Sequence, residues 1–170
     1  MRLRKFVLLA GLAMFTLPMM ANTIYTYTGN PFTTVSGAYT TSDFVSGSLT
    51  FGSPIGANYS GNVVPISFSF TDGLQTINAG CQICYFNVST DANGVFTDWT
   101  VEVFSVLGII VTNSGSDQGI FVMDVGRNLH DPGSWTSAEV SPVPEPSTLA
   151  LLGTGVLGVV GAGRRRVLRS

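Results

Sequence analysis

The chain is poor in the side chains that most often carry chemistry. Its 170 residues include one histidine and two cysteines, and only 11% of them are charged, which is roughly half the usual share in a soluble domain. His130, Cys81 and Cys84 are too few to build a closed zinc site, because such a site takes four ligands. We therefore expect no catalytic residues, no metal and no cofactor, and we expect that the protein is not an enzyme.

Basic residues are almost absent from the middle of the chain. Between residues 22 and 143 the only base is Arg127, against nine acids, so this span carries a net charge of −8. A domain this negative repels phosphate backbones, which argues against nucleic acid as a partner. The other seven bases lie in the two end segments, so the ends differ in kind from the middle.

The N-terminal segment has the pattern of a secretory signal peptide. Three cations within the first five residues precede an apolar run over residues 6–17, and Ala21 offers a small residue for cleavage. The apolar run is too short to cross a bilayer comfortably. We predict a signal helix within residues 1–21; a short buried helix is the alternative.

The C-terminal segment has the pattern of a membrane anchor. Residues 147–163 form an apolar stretch near the lower length limit for a transmembrane helix. A Pro-Glu-Pro motif precedes this stretch and three arginines follow it: Pro144, Glu145, Pro146, Arg164, Arg165 and Arg166. Because positive clusters stay in the cytoplasm, the three arginines should set the membrane orientation and place the preceding domain outside.

This tail resembles the PEP-CTERM sorting signal of bacteria, in which a Pro-Glu-Pro motif, a transmembrane helix and a basic cluster follow in that order. The resemblance covers residues 143–170. It implies a Gram-negative bacterium that makes exopolysaccharide, and processing near the motif by an exosortase, a membrane enzyme similar to transpeptidases. It also implies an inner-membrane-anchored precursor with its domain in the periplasm, followed by release to the cell surface or extracellular matrix.

The span between the two signals, residues 22–143, is predicted to be one exported domain, with residues 144–170 as the sorting signal. Apolar and polar residues alternate over several short segments, which is the pattern of half-buried strands. This pattern predicts strands over residues 45–51, 64–70 and 84–89. Residues 96–104 and 119–125 are two further predicted strands, and residues 106–112 are predicted as a nearly continuous apolar one. Pro65 should lie at an edge or a strand start, because proline cannot donate to a β-ladder.

Turn sequences separate these strands, and no helical window interrupts them. The pattern favours an all-β fold, an antiparallel β-sandwich or jelly roll, flanked by the two terminal helices. A β-solenoid is the weaker alternative. The segment from Asp91 to Trp99 also resembles the all-β domains common in PEP-CTERM proteins, a likeness that implies the fold and no activity.

Cys81 and Cys84 form the clearest local motif of the domain. An exported compartment favours oxidation, so we expect a disulfide between them. Free thiols are the second possibility, and a redox or metal function is the third, because the βαβ context of thioredoxin-like motifs is missing.

Several acidic residues are candidates for a catalytic or metal-binding role. Asp98 and Glu102 lie about 13 Å apart if both stand on one strand, whereas glycosidase pairs need about 5–9.5 Å. Asp91, Asn93, Gly94 and Asp98 faintly resemble a calcium loop, but the closing glutamate of an EF-hand is missing. Surface carboxylates and a hairpin turn are the preferred interpretations.

His130 is followed by Asp131, with Ser134 close in sequence. Adjacency in sequence does not make a catalytic triad, and a loop histidine before an Asp-Pro-Gly turn is the preferred interpretation. Thr26 and Thr28 form a short threonine row of a kind that can bind ice when repeated, but exposed threonine is ordinary in strands.

These patterns predict an exported, exosortase-processed surface or matrix protein with a structural or interaction role in exopolysaccharide or biofilm. The alternative is a carbohydrate-binding or ice-binding module, in which Tyr25, Tyr27 or Tyr85 would be exposed and stack on sugars. A polysaccharide hydrolase is the third hypothesis. The expected partners are the exosortase, transiently the inner membrane, and exopolysaccharide.

Overall fold

A computed structural model describes residues 21–140, which form twelve strands and no helix. The predicted signal helix and transmembrane helix, the Pro-Glu-Pro motif and the three arginines lie outside the described residues, as does the chain's second unit, Ser141–Ser170. Among residues 21–140 no helix has the length and apolar character needed to cross a membrane. The predicted boundaries at residues 21 and 143 stay predictions.

The twelve strands are joined by turns and by two longer connections, from β2 to β3 and from β3 to β4. In chain order they are β1 Asn22–Thr28, β2 Thr34–Val35, β3 Ser46–Phe51, β4 Ser60–Asn62, β5 Ser67–Thr71, β6 Thr76–Ile77, β7 Ile83–Thr90, β8 Phe96–Phe104, β9 Gly108–Asn113, β10 Ser116–Phe121, β11 Asp124–Leu129 and β12 Ser134–Val140.

The strands make two antiparallel sheets. The five-stranded sheet has the order β12-β1-β3-β5-β6, and the seven-stranded sheet has the order β2-β11-β10-β9-β8-β7-β4. The all-β antiparallel class predicted from the sequence is therefore confirmed, and the solenoid alternative is wrong. The jelly-roll variant of this class stays a prediction.

The core lies between the two sheets and is rich in aromatic rings. Alternate residues point inward, as in β1, where Tyr25 and Tyr27 are buried. Tyr25 stacks on Phe96 of the opposite sheet with ring centroids 4.5 Å apart, and Trp99 packs at a tilt against Tyr27. Because each aromatic ring buries a large apolar area, these contacts supply much of the packing between the sheets.

The predicted strand over residues 64–70 is wrong in its first half. The strand β5 begins at Ser67, and Val64 is 90% exposed. Val63 donates its amide to β7 of one sheet, whereas Ile66 donates its amide to Thr50 of the other. The chain crosses between the sheets at Pro65, so the apolar alternation there does not belong to one strand.

The predicted strand over residues 119–125 is also wrong, because a hairpin turn divides it. Phe121 pairs with Asp124, and Val122 and Met123 form the two-residue turn between β10 and β11. Similarly, β9 begins at Gly108, and Val106 and Leu107 lie in the turn before it. Both turns have apolar residues at their tips, so polar turn residues do not mark their positions in the sequence. By contrast, β8 has the predicted bounds, residues 96–104.

Candidate functional site

The outer surface of the five-stranded sheet carries two continuous rows of hydroxyl side chains. Because inward and outward positions alternate along a strand, the strand register brings the outward serines and threonines into line. The first row spans all five strands and the second spans four. In strand order they are Ser134, Thr28, Ser46, Thr71 and Thr76, then Thr136, Thr26, Ser48 and Ser69. We call these nine residues the hydroxyl face.

The hydroxyl face is a regular and uncharged array. Neighbouring strands lie about 4.8 Å apart, and successive outward residues on one strand lie about 6.8 Å apart. Each hydroxyl group both donates and accepts hydrogen bonds. Thr71 donates to the Gln75 carbonyl at 2.7 Å, and among the described residues the other eight hydroxyls have no protein partner. This array can therefore bond a neutral ligand that itself carries many hydroxyls.

Beside the second row, the outer surface of this sheet continues with a third row that is less polar. The third row holds Ala138, Ile24, Thr50 and Ser67. No charged side chain occupies an outward position on these strands as far as the structure describes them. Although the domain is strongly acidic, this surface is electrically neutral, which favours a neutral polymer over a cationic one.

A buried polar contact joins β1 of this sheet to the opposite sheet. The Tyr27 hydroxyl reaches the two carboxylate oxygens of Asp117 on the other sheet, at 2.7 and 2.9 Å. It also accepts the amide of Gly133 at 2.7 Å. Both Tyr27 and Asp117 are completely buried. Burial raises the pKa of Asp117 to about 6, and burial, together with the nearby carboxylate, raises the pKa of Tyr27 further above its ordinary range.

A second buried carboxylate closes the turn between β5 and β6. Asp72 accepts the backbone amides of Leu74 and Gln75, each at 3.0 Å, and the Gln75 side-chain amide at 2.7 Å. The Tyr39 hydroxyl donates to the same carboxylate at 2.5 Å. Burial raises the pKa of Tyr39, and its hydrogen bond to Asp72 raises that pKa further. Because its carboxylate accepts four hydrogen bonds within the fold, Asp72 has a structural role.

Two of the aromatic residues proposed for sugar stacking are in the core. Tyr25 is only 3% exposed and Tyr27 is fully buried, so their prediction as exposed platforms is wrong. The physical reason is the strand period, which turns both rings inward and the intervening Thr26 outward. Tyr85 is exposed, but it lies on the seven-stranded sheet.

The other predicted candidates take ordinary structural positions. Asp98 and Glu102 both point outward from β8 with Thr100 between them, and Asp98 accepts a hydrogen bond from Ser114. The Asp91 carboxylate accepts the amides of Asn93 and Val95, and these bonds lower its pKa. Asp91 therefore closes its own turn, as the hairpin interpretation expects.

The cysteine pair and the histidine are the remaining site candidates from the sequence. The sulfur atoms of Cys81 and Cys84 are in contact, with Cα atoms 6.0 Å apart, a separation that suits a disulfide. His130 takes a left-handed backbone conformation with φ of 67°. Among the described residues no side-chain hydrogen bond joins it to Asp131 or Ser134, so the geometry assembles no triad there.

Comparison with known families identifies the C-terminal segment. Residues 142–166 match the PEP-CTERM protein-sorting motif. The chain carries a PEP-CTERM sorting signal. The matched segment contains Pro144, Glu145 and Pro146, and also the arginines at 164–166. PEP-CTERM signals are processed by exosortase, and they mark an exported protein that is held in the membrane before cleavage.

No curated protein and no solved structure matches the chain. The all-β domain is consistent with the exported part of a PEP-CTERM protein, and its surface has to be interpreted from its own chemistry.

The sequence contains only a partial signal for the hydroxyl face. Thr26 and Thr28 form a short threonine row, and the same alternation of hydroxyl residues occurs in residues 46–50 and 67–71, where it is also typical of the polar side of an ordinary strand. Only the strand order shows that these short rows are neighbours.

Proposed function

We propose that this protein is a non-enzymatic surface or matrix component that exosortase processes and that binds neutral exopolysaccharide through the hydroxyl face. The sorting motif at residues 142–166 is the observation that carries the delivery part of the proposal. The three arginines at 164–166 remain in the cytoplasm and the domain occupies the periplasm before cleavage, since positive clusters stay inside. The released domain then reaches the cell surface or extracellular matrix, where it serves exopolysaccharide or biofilm structure.

The hydroxyl face supports the binding part of the proposal. A polysaccharide presents hydroxyls at regular intervals, and a regular row of donors and acceptors can bond several sugar units at once. Each bond to a neutral hydroxyl adds little, about 0.5–1.5 kcal/mol, so useful affinity requires many of them in line. Nine hydroxyls in two rows across five strands meet that requirement.

Ice binding is the second candidate function, and the same observation favours it. Ordered hydroxyl rows on a sheet can hold a layer of water as well as a sugar chain. The two candidates differ in ligand, so one pair of assays separates them. A hydrolase has no comparable support, because the Asp98 and Glu102 carboxylates are spaced too widely along β8.

The delivery part is tested by fractionating cells that express the wild-type chain or a Pro144→Ala/Pro146→Ala variant. Pro142→Ala is the matched control, because it removes a nearby proline that is not part of the Pro-Glu-Pro triplet at 144–146. The proposal expects the double variant to stay membrane-bound at precursor size, while the wild type and the control are shortened and released. Equal size and equal release of all three would reject processing through the motif.

The binding part is tested by co-sedimentation of the exported protein with a neutral insoluble polysaccharide, an anionic one and ice. Thr26→Val/Thr136→Val removes two paired hydroxyls of the second row, on the edge strand β12 and its neighbour β1, and valine keeps the strand preference. Thr34→Val, exposed on the other sheet, is the control. Loss of neutral-polysaccharide retention in the double variant alone supports the proposal. Retention on ice alone would favour the second candidate, and equal behaviour of all three proteins would reject the hydroxyl face.

A further inference from the structure

The outer surface of the seven-stranded sheet carries an apolar row that the core does not use. The register of five neighbouring strands places one apolar side chain from each strand at the same level and on the outward side. In strand order from β7 to β11 these are Ile83, Phe104, Ile109, Ile120 and Val125. Ile83 is 61% exposed, and the other four are partly exposed. Across five strands the row is about 19 Å wide.

Two hairpin tips extend this row at the end of the sheet. Val106 and Leu107 form one tip, and Val122 and Met123 form the neighbouring one. The two tips touch, because the Val122 amide donates to the Leu107 carbonyl at 2.8 Å. All four side chains are exposed, Met123 by 87%. We call the row and the two tips the apolar face.

The turn at Val122 adds backbone strain to this exposure. Val122 has φ of 60°, a conformation that a β-branched residue rarely adopts and that normally selects glycine or asparagine. A glycine would be easier to fold and less apolar. The chain instead keeps a strained, exposed valine beside an exposed methionine, as expected where the apolar side chain itself is needed.

The row beside the apolar face is complementary to itself. From β7 to β11 it reads Tyr85, Glu102, Val111, Gln118 and Arg127. A two-fold axis along β9 would place this face against the same face of a second copy. Arg127 of each copy would then lie over Tyr85 of the other, a cation–π pair. Glu102 would lie opposite Gln118, a hydrogen-bonding pair without like charges.

From this geometry we infer that the apolar face binds the same face of a second copy of this chain. The driving force is burial of the apolar row and of the hairpin tips. A twofold interface of this kind is isologous, which is the commonest arrangement among homo-oligomers. The position of Arg127 also supports this pairing. Arg127 is the only base between residues 22 and 143, and Tyr85, its partner in the cation–π pair, lies on the same face.

Pairing through the apolar face would leave two hydroxyl faces pointing in opposite directions. If the hydroxyl face binds polysaccharide, which rests on the proposed function above, the dimer would link two polymer chains. The pairing itself does not depend on that ligand, so the two claims can fail separately.

The test measures the mass of the full chain in detergent by light scattering over a range of protein concentrations. Ile109→Lys places two like charges at the two-fold axis, and Ser48→Lys adds the same charge to the hydroxyl face as a matched control. We expect wild type and Ser48→Lys to dimerise, and Ile109→Lys to weaken dimerisation at least ~10-fold. An equimolar mixture of Ile109→Lys and Ile109→Glu should recover dimers, because residue 109 opposes itself across the axis.

Cross-linking keeps the inference testable if the lysine variant folds poorly. Ile109→Cys should form an intermolecular disulfide on mild oxidation, whereas Ser48→Cys should not. A monomeric wild type would overturn the inference, as would a dimer that persists in Ile109→Lys, since the C-terminal segment would then hold the copies together. Equal cross-linking at positions 109 and 48 would overturn it as well. A monomeric Ile109→Lys should still retain polysaccharide through its single hydroxyl face, and linking of polymer chains by this monomer as strong as by wild type would reject only the bivalent consequence.

Discussion

Tyr27 and Asp117 form a hydrogen bond between the two sheets at 2.7 Å, with both side chains fully buried. The hydroxyl lies on β1, directly behind the hydroxyl face, and the carboxylate lies on β10 of the opposite sheet. The pair therefore ties the strand that carries Thr26 and Thr28 to the scaffold. No basic residue neutralises Asp117 in the described part of the chain, so its carboxylate depends on hydrogen bonds alone.

Stability should depend on pH through Asp117. Burial raises its pKa to about 6 in the folded protein, against about 3.9 in an unfolded chain. The folded state therefore holds this proton more tightly. The contribution of Asp117 to stability is fully present below about pH 4 and is lost as pH rises through 6, by about 3 kcal/mol.

The comparison with Asp117→Asn isolates this effect from the other carboxylates. The asparagine does not titrate, so the difference in unfolding free energy between the two proteins should change between pH 4 and 6.5. Urea denaturation at several pH values measures that difference. Parallel pH profiles for the two proteins would contradict the assignment.

Tyr27→Phe should destabilise the domain by about 1–3 kcal/mol. The substitution keeps the ring but removes a hydrogen-bond donor from a buried carboxylate. Tyr85→Phe is the matched control, because Tyr85 is exposed and its change should stay within about 0.5 kcal/mol. Thermal and urea unfolding measure both variants, and equal stabilities would show that the buried contact contributes nothing.

Val122→Gly should stabilise the domain by about 1 kcal/mol. Val122 has φ of 60°, and glycine adopts positive φ without a steric penalty. The same variant should weaken self-association, because it removes an apolar side chain from the apolar face. Unfolding experiments at low protein concentration separate the two effects. A loss of stability would mean that the valine side chain contributes more to the monomer than its backbone strain costs.

Replacing Cys81 and Cys84 by serine should have a small effect, about 2 kcal/mol, because the loop that a disulfide would close is very short. The exported protein should contain no thiol that reacts under denaturing conditions before reduction. Thiol labelling with and without reductant measures this directly. Two reactive thiols in the unreduced exported protein would contradict the disulfide prediction.

The sequence allowed the fold class and several strands to be predicted, because period-two alternation is a local property. Residues 96–104 form β8 with the predicted bounds, and buried and outward residues alternate regularly from Trp99 to Phe104. The alternation fails as evidence where the chain changes sheets at Pro65, since the pattern carries no information about the neighbouring strand. It also fails at Val122 and Met123, where an apolar turn looks like a continuing strand.

The sorting signal could be predicted from the sequence, whereas the hydroxyl and apolar faces could not. The sorting signal is linear, so its order of motif, apolar stretch and arginines was readable and residues 142–166 match it. The hydroxyl and apolar faces depend on which strands are neighbours. Thr26 and Thr136 lie 110 positions apart in sequence, yet they pair directly. Such a surface can be recognised only after the register is known.

The most direct test of the account is the C-terminal end of the protein that the cell releases. Intact-mass and C-terminal peptide analysis of the released protein should find a chain that begins near Asn22 and ends near the Pro-Glu-Pro motif, without Arg164, Arg165 and Arg166. A released protein that still ends at Ser170, with all three arginines, would contradict delivery by exosortase processing.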